Sequence, residues 1–455
     1  MLPLMWSIYY QESISPILIP MIMAILIGLL VSYFIKPRGE IRQREAFAVV
    51  SFGWLVATLI GLIPFLLSGT FNSFADAFFE TMSGFTTTGA SVMTDIEAVD
   101  KGILMWRSLT HWLGGMGIMA LFIAALSQLG SGGMQMFRAE VPGPSTERLK
   151  PRIKETAKVL WLTYVIISLA EILLLWLAQM SFYESLIHTF GTMATGGFSS
   201  RNLSIGAYGP LIHWIIIVFM FIAGANFSLY YQALKGKSLK AFWLNEEFRL
   251  YSGIIVLSSV IIWIILLNAG EELALTKAFF QVVSITTTTG YATADFNQWS
   301  SLATGILVLL MFVGGSAGST GGSVKVGRIL ILAKHSLLEL RQMVRPRAVL
   351  SLKIDKRTIS NRIIINVLQF FFLYALIIGL STLIVVTSGV DLVTGFTSVA
   401  ATLGNIGPGL QLLGPAENYA FYSGGYKIFM SFLMLLGRLE IYTVLTLLIP
   451  STWRR

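Results

Sequence analysis

The stretch "TTTTGYATAD", Thr286 to Asp295, sits between two long apolar runs and packs a row of hydroxyls, a glycine and an acid into ten residues. Backbone that leaves the helix at membrane depth must be buried in protein or line a watery cavity, because an unpaired amide facing lipid costs several kcal/mol. A single Thr-x-Gly turn would say little, since both residues are ordinary in turns. This one has three counterparts. Thr288, Thr289 and Gly290 are matched by Thr87, Thr88 and Gly89, by Thr195, Gly196 and Gly197, and by Asn405, Ile406 and Gly407. In the second turn Gly197 is taken as the equivalent glycine because it precedes the aromatic Phe198, as Gly290 precedes Tyr291.

Each turn follows a segment too short to cross a bilayer: "SFADAFFETMSGF" (Ser73 to Phe85), "SFYESLIHTFGTM" (Ser181 to Met193), "ELALTKAFFQVVSI" (Glu272 to Ile285) and "DLVTGFTSVAATL" (Asp391 to Leu403). Apolar-leaning segments of this length read as re-entrant or buried helix. Each begins with Ser, Glu or Asp, which suits a helix start. Outgoing spans begin near Ala46, Thr156, Glu247 and Thr358, and return spans near Ile103, Pro210, Ser300 and Tyr426. The same unit therefore recurs four times after one leading span, Ser15 to Ile35. The expected fold is an all-α polytopic membrane protein of four tandem membrane-pore-membrane repeats around a pseudo-fourfold pore. The divisions are an N-terminal span and basic turn over 1–44, then repeats over 45–137, 138–242, 243–356 and 357–455.

Composition agrees with a membrane protein: of 455 residues, 55% are hydrophobic and 12% charged, with mean hydropathy +0.75. There is no cysteine, which excludes disulfides, thiolate catalysis and cysteine metal sites. The net charge of +9 follows topology, not nucleic-acid binding. Lys36, Arg38, Arg42 and Arg44 follow the first span; Arg138, Arg148, Lys150, Arg152, Lys154 and Lys158 share one connector; Lys235, Lys237 and Lys240 share another. Most of the rest lie between Lys325 and Arg362 or at Arg454 and Arg455. The intervening connectors are poor in Lys and Arg, so the basic loops are cytoplasmic.

If the four turns surround one axis, glycine's access to positive φ lets successive carbonyls point inward as rings that replace the water shell of a cation. The C-terminal ends of the four short helices add partial negative charge at the same place. These physical arguments give a monovalent cation and no more. Asp295 is either an acid at the outer mouth or a solvated loop residue.

Two further features lie below the turns. "GGSAGSTGG", Gly314 to Gly322, interrupts the third return span with Gly314, Gly315, Gly318, Gly321 and Gly322. Glycine costs about 1 kcal/mol against alanine in a helix, so the span breaks there, as a gate or for close packing. Arg438 lies near the middle of the last span, where a charge costs about 2.5 to 3.5 kcal/mol on insertion scales; it is an electrostatic barrier, a partner of Glu440 or another buried acid, or both. Glu80 suits bonding to backbone amides behind the first turn, Lys277 a snorkelling or supporting role, and Lys325 and Arg328 the cytoplasmic side. His111, beside Trp112, reads as a helix packed at the membrane interface. The four histidines lack metal-ligand spacing, no phosphate loop is present, and no nucleophile with a base stands out.

The repeats, with "SGFTTTGAS", "TGGFSSRN", "TTTTGYATAD" and "GNIGPGL", followed by "GGSAGSTGGSVKVGR" and "GRLEIYTVL", resemble the Trk/Ktr/HKT superfamily of potassium transporters, and most of all the bacterial Trk H-type membrane subunit. The resemblance implies a selectivity filter with its glycines at Gly89, Gly197, Gly290 and Gly407. It also implies K⁺ as the substrate, because plant relatives with four glycines carry K⁺ and those with serine at the first carry Na⁺. It further implies a gating role for the Gly314 to Gly322 loop with Arg438, a homodimer in the bacterial cytoplasmic membrane, and a cytosolic nucleotide-binding ring (Trk A-type subunit) as partner. It implies no enzyme activity and no cofactor beyond transported K⁺. Trk H-type subunits usually carry two spans before the first repeat. Here one span and the segment Met1 to Tyr10 are seen, as a truncated chain or a late start codon would give. The alternatives are a Na⁺- or H⁺-coupled secondary transporter, which would show two inverted repeats, and an intramembrane enzyme, which would need an acid, His or Ser cluster at one depth.

Overall fold

The computed structural model describes residues 1–34, 43–117, 153–236, 238–348, 350–450 and 453. Of the basic residues named above, Lys36, Arg38, Arg42, Arg138, Arg148, Lys150, Arg152, Lys237, Arg454 and Arg455 lie outside the described residues.

Two helices lead, α1 (Leu2–Tyr9) and α2 (Ser15–Phe34). The first unit holds α3 (Gln43–Gly61), the one-turn α4 (Ile63–Leu67), the short α5 (Phe74–Phe85) and the returning α6 (Lys101–Trp112), which continues into a π turn over Leu113–Gly117. The second holds α7 (Ile153–Leu177), short α8 (Phe182–Met193), returning α9 (Pro210–Gly224), α10 (Phe227–Gly236) and α11 (Lys240–Leu244). The third holds α12 (Glu246–Asn268), short α13 (Ala274–Thr286), returning α14 (Ser301–Met311) and α15 (Val326–Val344). A small hairpin follows, β1 (Lys353–Ile354) against β2 (Arg357–Thr358), with Lys353 opposite Thr358. The last unit holds α16 (Asn361–Val386), short α17 (Leu392–Leu403), returning α18 (Gly424–Arg438) and α19 (Tyr442–Leu448).

Among the described residues five helices are long and apolar enough to cross a membrane, α2, α7, α12, α16 and the α3–α4 stretch Phe47–Leu67. The long helices leave large apolar side chains exposed, such as Leu173, Leu257, Phe372 and Leu383. That surface suits lipid, which removes the reason to hide it. The four short helices are buried over most of their length. In the last three units each packs on the long helix before it. Buried hydroxyls and charges such as Thr88, Glu80 and Arg107 thus sit inside with the apolar core, while the outer faces of the long helices stay apolar.

The starts of the short helices differ in detail. The Ser181 side chain accepts from the Glu184 amide, and Asp391 accepts from the amides of Val393 and Thr394. Ser73 makes no side-chain cap bond. Glu272 is not a cap: α13 starts later, after Leu273, which is held at φ +53°. Glycine interrupts the third return span as expected, but the second and fourth are also broken. The chain bends by 95° between α9 and α10 and by 118° between α18 and α19. Neither break carries a glycine run. The segment Met1 to Tyr10 forms α1, and Glu12 beyond it accepts from the amides of Lys101 and Gly102, capping α6.

Candidate functional site

The four turns converge. Thr87, Thr195, Thr288 and Asn405 have φ of +55°, +52°, +61° and +53°, and Gly89, Gly197, Gly290 and Gly407 have +78°, +79°, +79° and +98°. Positive φ two residues apart reverses the peptide plane twice, which is the conformation that turns successive carbonyls to one side. A side chain on Gly89 would overlap the carbonyl of Gly196; on Gly197, that of Thr289; on Gly290, that of Ile406. On Gly407 it would come within 2.8 Å of the Thr88 carbonyl. Each turn therefore abuts the next, and the fourth meets the first. The ring is closed, tight at three seams and looser at the fourth. All four glycines line one outward-open cavity, together with Arg201, Glu417, Asn418 and Tyr419.

The walls of the ring are braced from behind. Glu80, fully buried, accepts from the Val92 amide (2.9 Å), the Ser91 hydroxyl (2.9 Å) and Arg107 Nε (2.7 Å). The amide bond was foreseeable; the arginine partner was not. Hydroxyl pairs tie Thr86 to Thr88 (2.8 Å) and Thr287 to Thr289 (2.7 Å) within their own turns. The Tyr291 hydroxyl donates to the carbonyl of His188 in α8 (3.0 Å), and the Tyr419 hydroxyl to that of Gly407 (2.7 Å). Asn405, where the other turns have threonine, donates to Thr88 Oγ1 and to the Met434 carbonyl, both at 2.9 Å.

Beneath the ring lies the glycine loop. Gly322 donates its amide to Thr288 Oγ1 (2.8 Å), and Thr320 Oγ1 donates to the carbonyls of Met193 (3.0 Å) and Ala223 (3.2 Å). The loop also satisfies the broken end of α9: the Ser316 amide donates to the Gly224 carbonyl, and the Phe227 amide to that of Gly318. A side chain at Gly315 would lie 2.9 Å from the Gly224 carbonyl, so the close approach needs glycine there. From the third unit's long helix, Glu247 accepts the Ala317 amide at 2.6 Å.

Arg438 ends α18 at the same level. It donates to Thr87 Oγ1 (3.0 Å), to the Thr320 carbonyl (2.9 Å) and to the carbonyls of Gly114 (2.5 Å) and Gly115 (3.0 Å) on the π turn. Glu440 pairs with Arg328, whose guanidinium also lies over the Phe370 ring. The pairing of Arg438 with Glu440 considered from sequence is thus replaced by backbone carbonyls, which a kinked chain leaves unpaired.

Other candidates fall elsewhere. Asp295 accepts from the Asn297 amide and Gln298 Nε2, capping the 3₁₀ turn Phe296–Gln298. Lys277 pairs with Glu271 at 2.6 Å. His111 is fully buried beside the second turn, not at an interface. No cluster of three metal-ligating side chains occurs among the described residues.

A sequence model of the TrkH family, described as a cation transport protein, matches residues 14–454. The Trk system potassium uptake protein TrkH of Escherichia coli K12 is 42% identical over 426 residues, 92% of this chain and 88% of that protein. The Trk system potassium uptake protein TrkG of the same strain is 33% identical over 461 residues, 99% of this chain and 94% of that one. The crystal structure of the potassium transporter TrkH from Vibrio parahaemolyticus matches with a TM-score of 0.90 at 35% identity, covering 99% of this chain and 95% of that one.

Proposed function

The chain belongs to the TrkH family of cation transport proteins, and we propose that it takes up potassium across the bacterial cytoplasmic membrane through a carbonyl-lined filter. The observation that carries this reading is the closed ring, in which each of Gly89, Gly197, Gly290 and Gly407 stands against the carbonyl preceding the next glycine. Carbonyls in such rings substitute for the hydration shell of a monovalent cation. The names of the relatives, potassium uptake proteins, supply the choice of K⁺.

In this proposal the filter is built by Thr87, Thr88, Gly89, Thr195, Gly196, Gly197, Thr288, Thr289, Gly290, Asn405, Ile406 and Gly407. The loop bearing Gly314, Gly315, Gly318, Gly321 and Gly322 closes its inner end with Arg438. Two filter hydroxyls, those of Thr87 and Thr288, accept hydrogen bonds from Arg438 and Gly322. A permeating ion has to displace both, so this arrangement is a closed gate. The repeats 45–137, 138–242, 243–356 and 357–455 are the four quadrants. The protein transports without catalysing a reaction, works as a homodimer, and is controlled by a cytosolic nucleotide-binding ring. Sensitivity to ATP or NADH is then expected only when that ring is present.

The test is cation flux into proteoliposomes, comparing K⁺, Rb⁺ and Na⁺ for the wild type and Gly290→Ser. The reading expects K⁺ and Rb⁺ well ahead of Na⁺, with the preference lost in the variant. Equal passage of all three by the wild type overturns it. Uptake that requires an imposed Na⁺ or H⁺ gradient replaces the pore with a coupled transporter.

A further inference from the structure

The second turn differs from the others by one side chain. Immediately before the filter glycine stand Thr88, Thr289 and Ile406 in three turns, but Gly196 in the second. That place is not empty. A side chain built on Gly196 would meet the imidazole of His111, lying 2.6 Å from Cγ and 2.7 Å from Cε1 and closer still to Nδ1. The ring comes from α6, in the preceding unit.

His111 is itself held. It stacks on Phe198, with ring centroids 3.9 Å apart and planes 16° from parallel. The Arg107 guanidinium lies over the same ring, 3.6 Å from its centre. Two groups so close to one ring centre occupy its opposite faces. Phe198, next to the filter glycine, is thus clamped between an imidazole and a guanidinium one helical turn apart on α6. Arg107 is anchored in turn to Glu80 and to the Ser199 carbonyl (3.0 Å), and the Phe198 amide points at His111 Nδ1 (3.5 Å). All of these side chains are buried.

We propose that His111 is a positioning residue for ion selectivity: its imidazole stands in for the side chain missing at Gly196 and, through Phe198, fixes the second turn at the radius of the other three. This rests on the reading of the four turns as a filter. Interiors are close-packed, and a filled volume resists displacement of its wall. Removing the ring frees the second turn to move outward, which lengthens one quarter of the carbonyl set and weakens discrimination between ions. The Gly-Gly doublet is then explained residue by residue: Gly197 for its positive φ, Gly196 for the neighbour's ring.

The proposal is tested on the full chain in proteoliposomes, measuring the K⁺ to Na⁺ flux ratio of His111→Ala, Gly196→Thr and the double variant. Each single change is expected to lower the ratio about tenfold, a factor equivalent to about 1.4 kcal/mol. The double variant, in which threonine occupies the vacated space, is expected to recover most of it. His111→Phe, which keeps a flat ring on Phe198, is expected to hold the ratio within about twofold of wild type. A wild-type ratio in His111→Ala, or a double variant no better than Gly196→Thr alone, overturns the proposal. If His111→Ala does not elute as a folded protein, Phe198→Leu takes its place, and a wild-type ratio there overturns it equally. Gly197→Ser separates the two levels: loss of selectivity in Gly197→Ser with none in His111→Ala rejects the role of His111 and keeps the filter, whereas full selectivity in Gly197→Ser rejects the filter itself.

Discussion

The outer and inner halves of the central axis are built on opposite principles. The outer ring takes one turn from each unit, with matched φ angles and glycines at equivalent places. The plug beneath takes a loop from the third unit and an arginine from the fourth, while the first and second receive them through the carbonyls of Gly114, Gly115, Met193 and Ala223 and through the Thr87 hydroxyl. On the proposed function, the difference follows from what each half would do. A spherical ion is bound best by ligands spread evenly around it, so the ring gains from repetition. An obstruction has to be present once and to move, and movement is easier when one loop breaks hydrogen bonds to neighbours that stay put.

The largest effects are expected at the ring, where three glycines stand in tight seams and the fourth in a looser one. A residue other than glycine in the left-handed region costs about 1–2 kcal/mol, and overlap with a neighbouring carbonyl adds to this. Serine at Gly89, Gly197 or Gly290 is therefore expected to lower the K⁺ to Na⁺ flux ratio more than tenfold. Gly407→Ser, where the nearest carbonyl is 2.8 Å away, is expected to do least. Equal loss at all four positions means that conformation dominates and the looser fourth seam is irrelevant.

The plug gives the next largest effect, and of the opposite kind. Arg438→Gln removes a charge that donates to Thr87, Thr320, Gly114 and Gly115. Hydrogen bonds from charged groups contribute about 1.5–3 kcal/mol each, and flux through the chain without any partner is expected to rise about tenfold while the ion ratio stays unchanged. A changed ratio would place Arg438 in the ring's chemistry and dissolve the distinction between the halves. Glu247→Gln weakens the bond to the Ala317 amide, whose acceptor becomes a neutral amide oxygen. The weakening is worth about 1 kcal/mol, the difference between a charged and a neutral acceptor, giving a severalfold rise in the same assay.

The two halves also differ in how much of each can be read from letters. The turns were legible because each needs glycine at one position and a short helix before it, and four repetitions remove chance. The loop was legible because five glycines cannot continue a helix. The breaks after Gly224 and Arg438 were not, since "FIAGANFSL" and "LLGRLEIYT" carry no glycine run. They exist because neighbours satisfy the freed backbone: the loop does so for α9, and Leu439 to Ile441 turn back through positive φ at Glu440 and Ile441. The partners of Arg438 and the place of His111 were hidden for the same reason. Both depend on contacts between units, which no local pattern encodes. Gly196 was the available clue, as a second glycine with no conformational need for it.

The smallest expected effect probes how the outer ring is placed, apart from how it selects. Asp391 caps α17, accepting from the amides of Val393 (2.9 Å) and Thr394 (3.0 Å) and from the Thr394 hydroxyl. These bonds, the hydroxyl foremost, hold its carboxyl below the usual carboxylate range. A group with a depressed folded-state pKa stabilises above its unfolded pKa, and that contribution fades as pH falls through the lower folded value. At neutral pH the cap is therefore fully present. Asp391→Ala is expected to cost about 1 kcal/mol of stability, the usual worth of such a cap, seen as a lowered melting temperature in detergent at pH 7. The difference from wild type should shrink in strongly acid buffer. The ion ratio should not move, because the helix end at the ring is fixed by the packing of α17 against α16 and α18. A shifted ratio would show that the outer start of a short helix sets the radius of the ring, and the symmetry of the outer half would then rest on the connectors as well as on the turns.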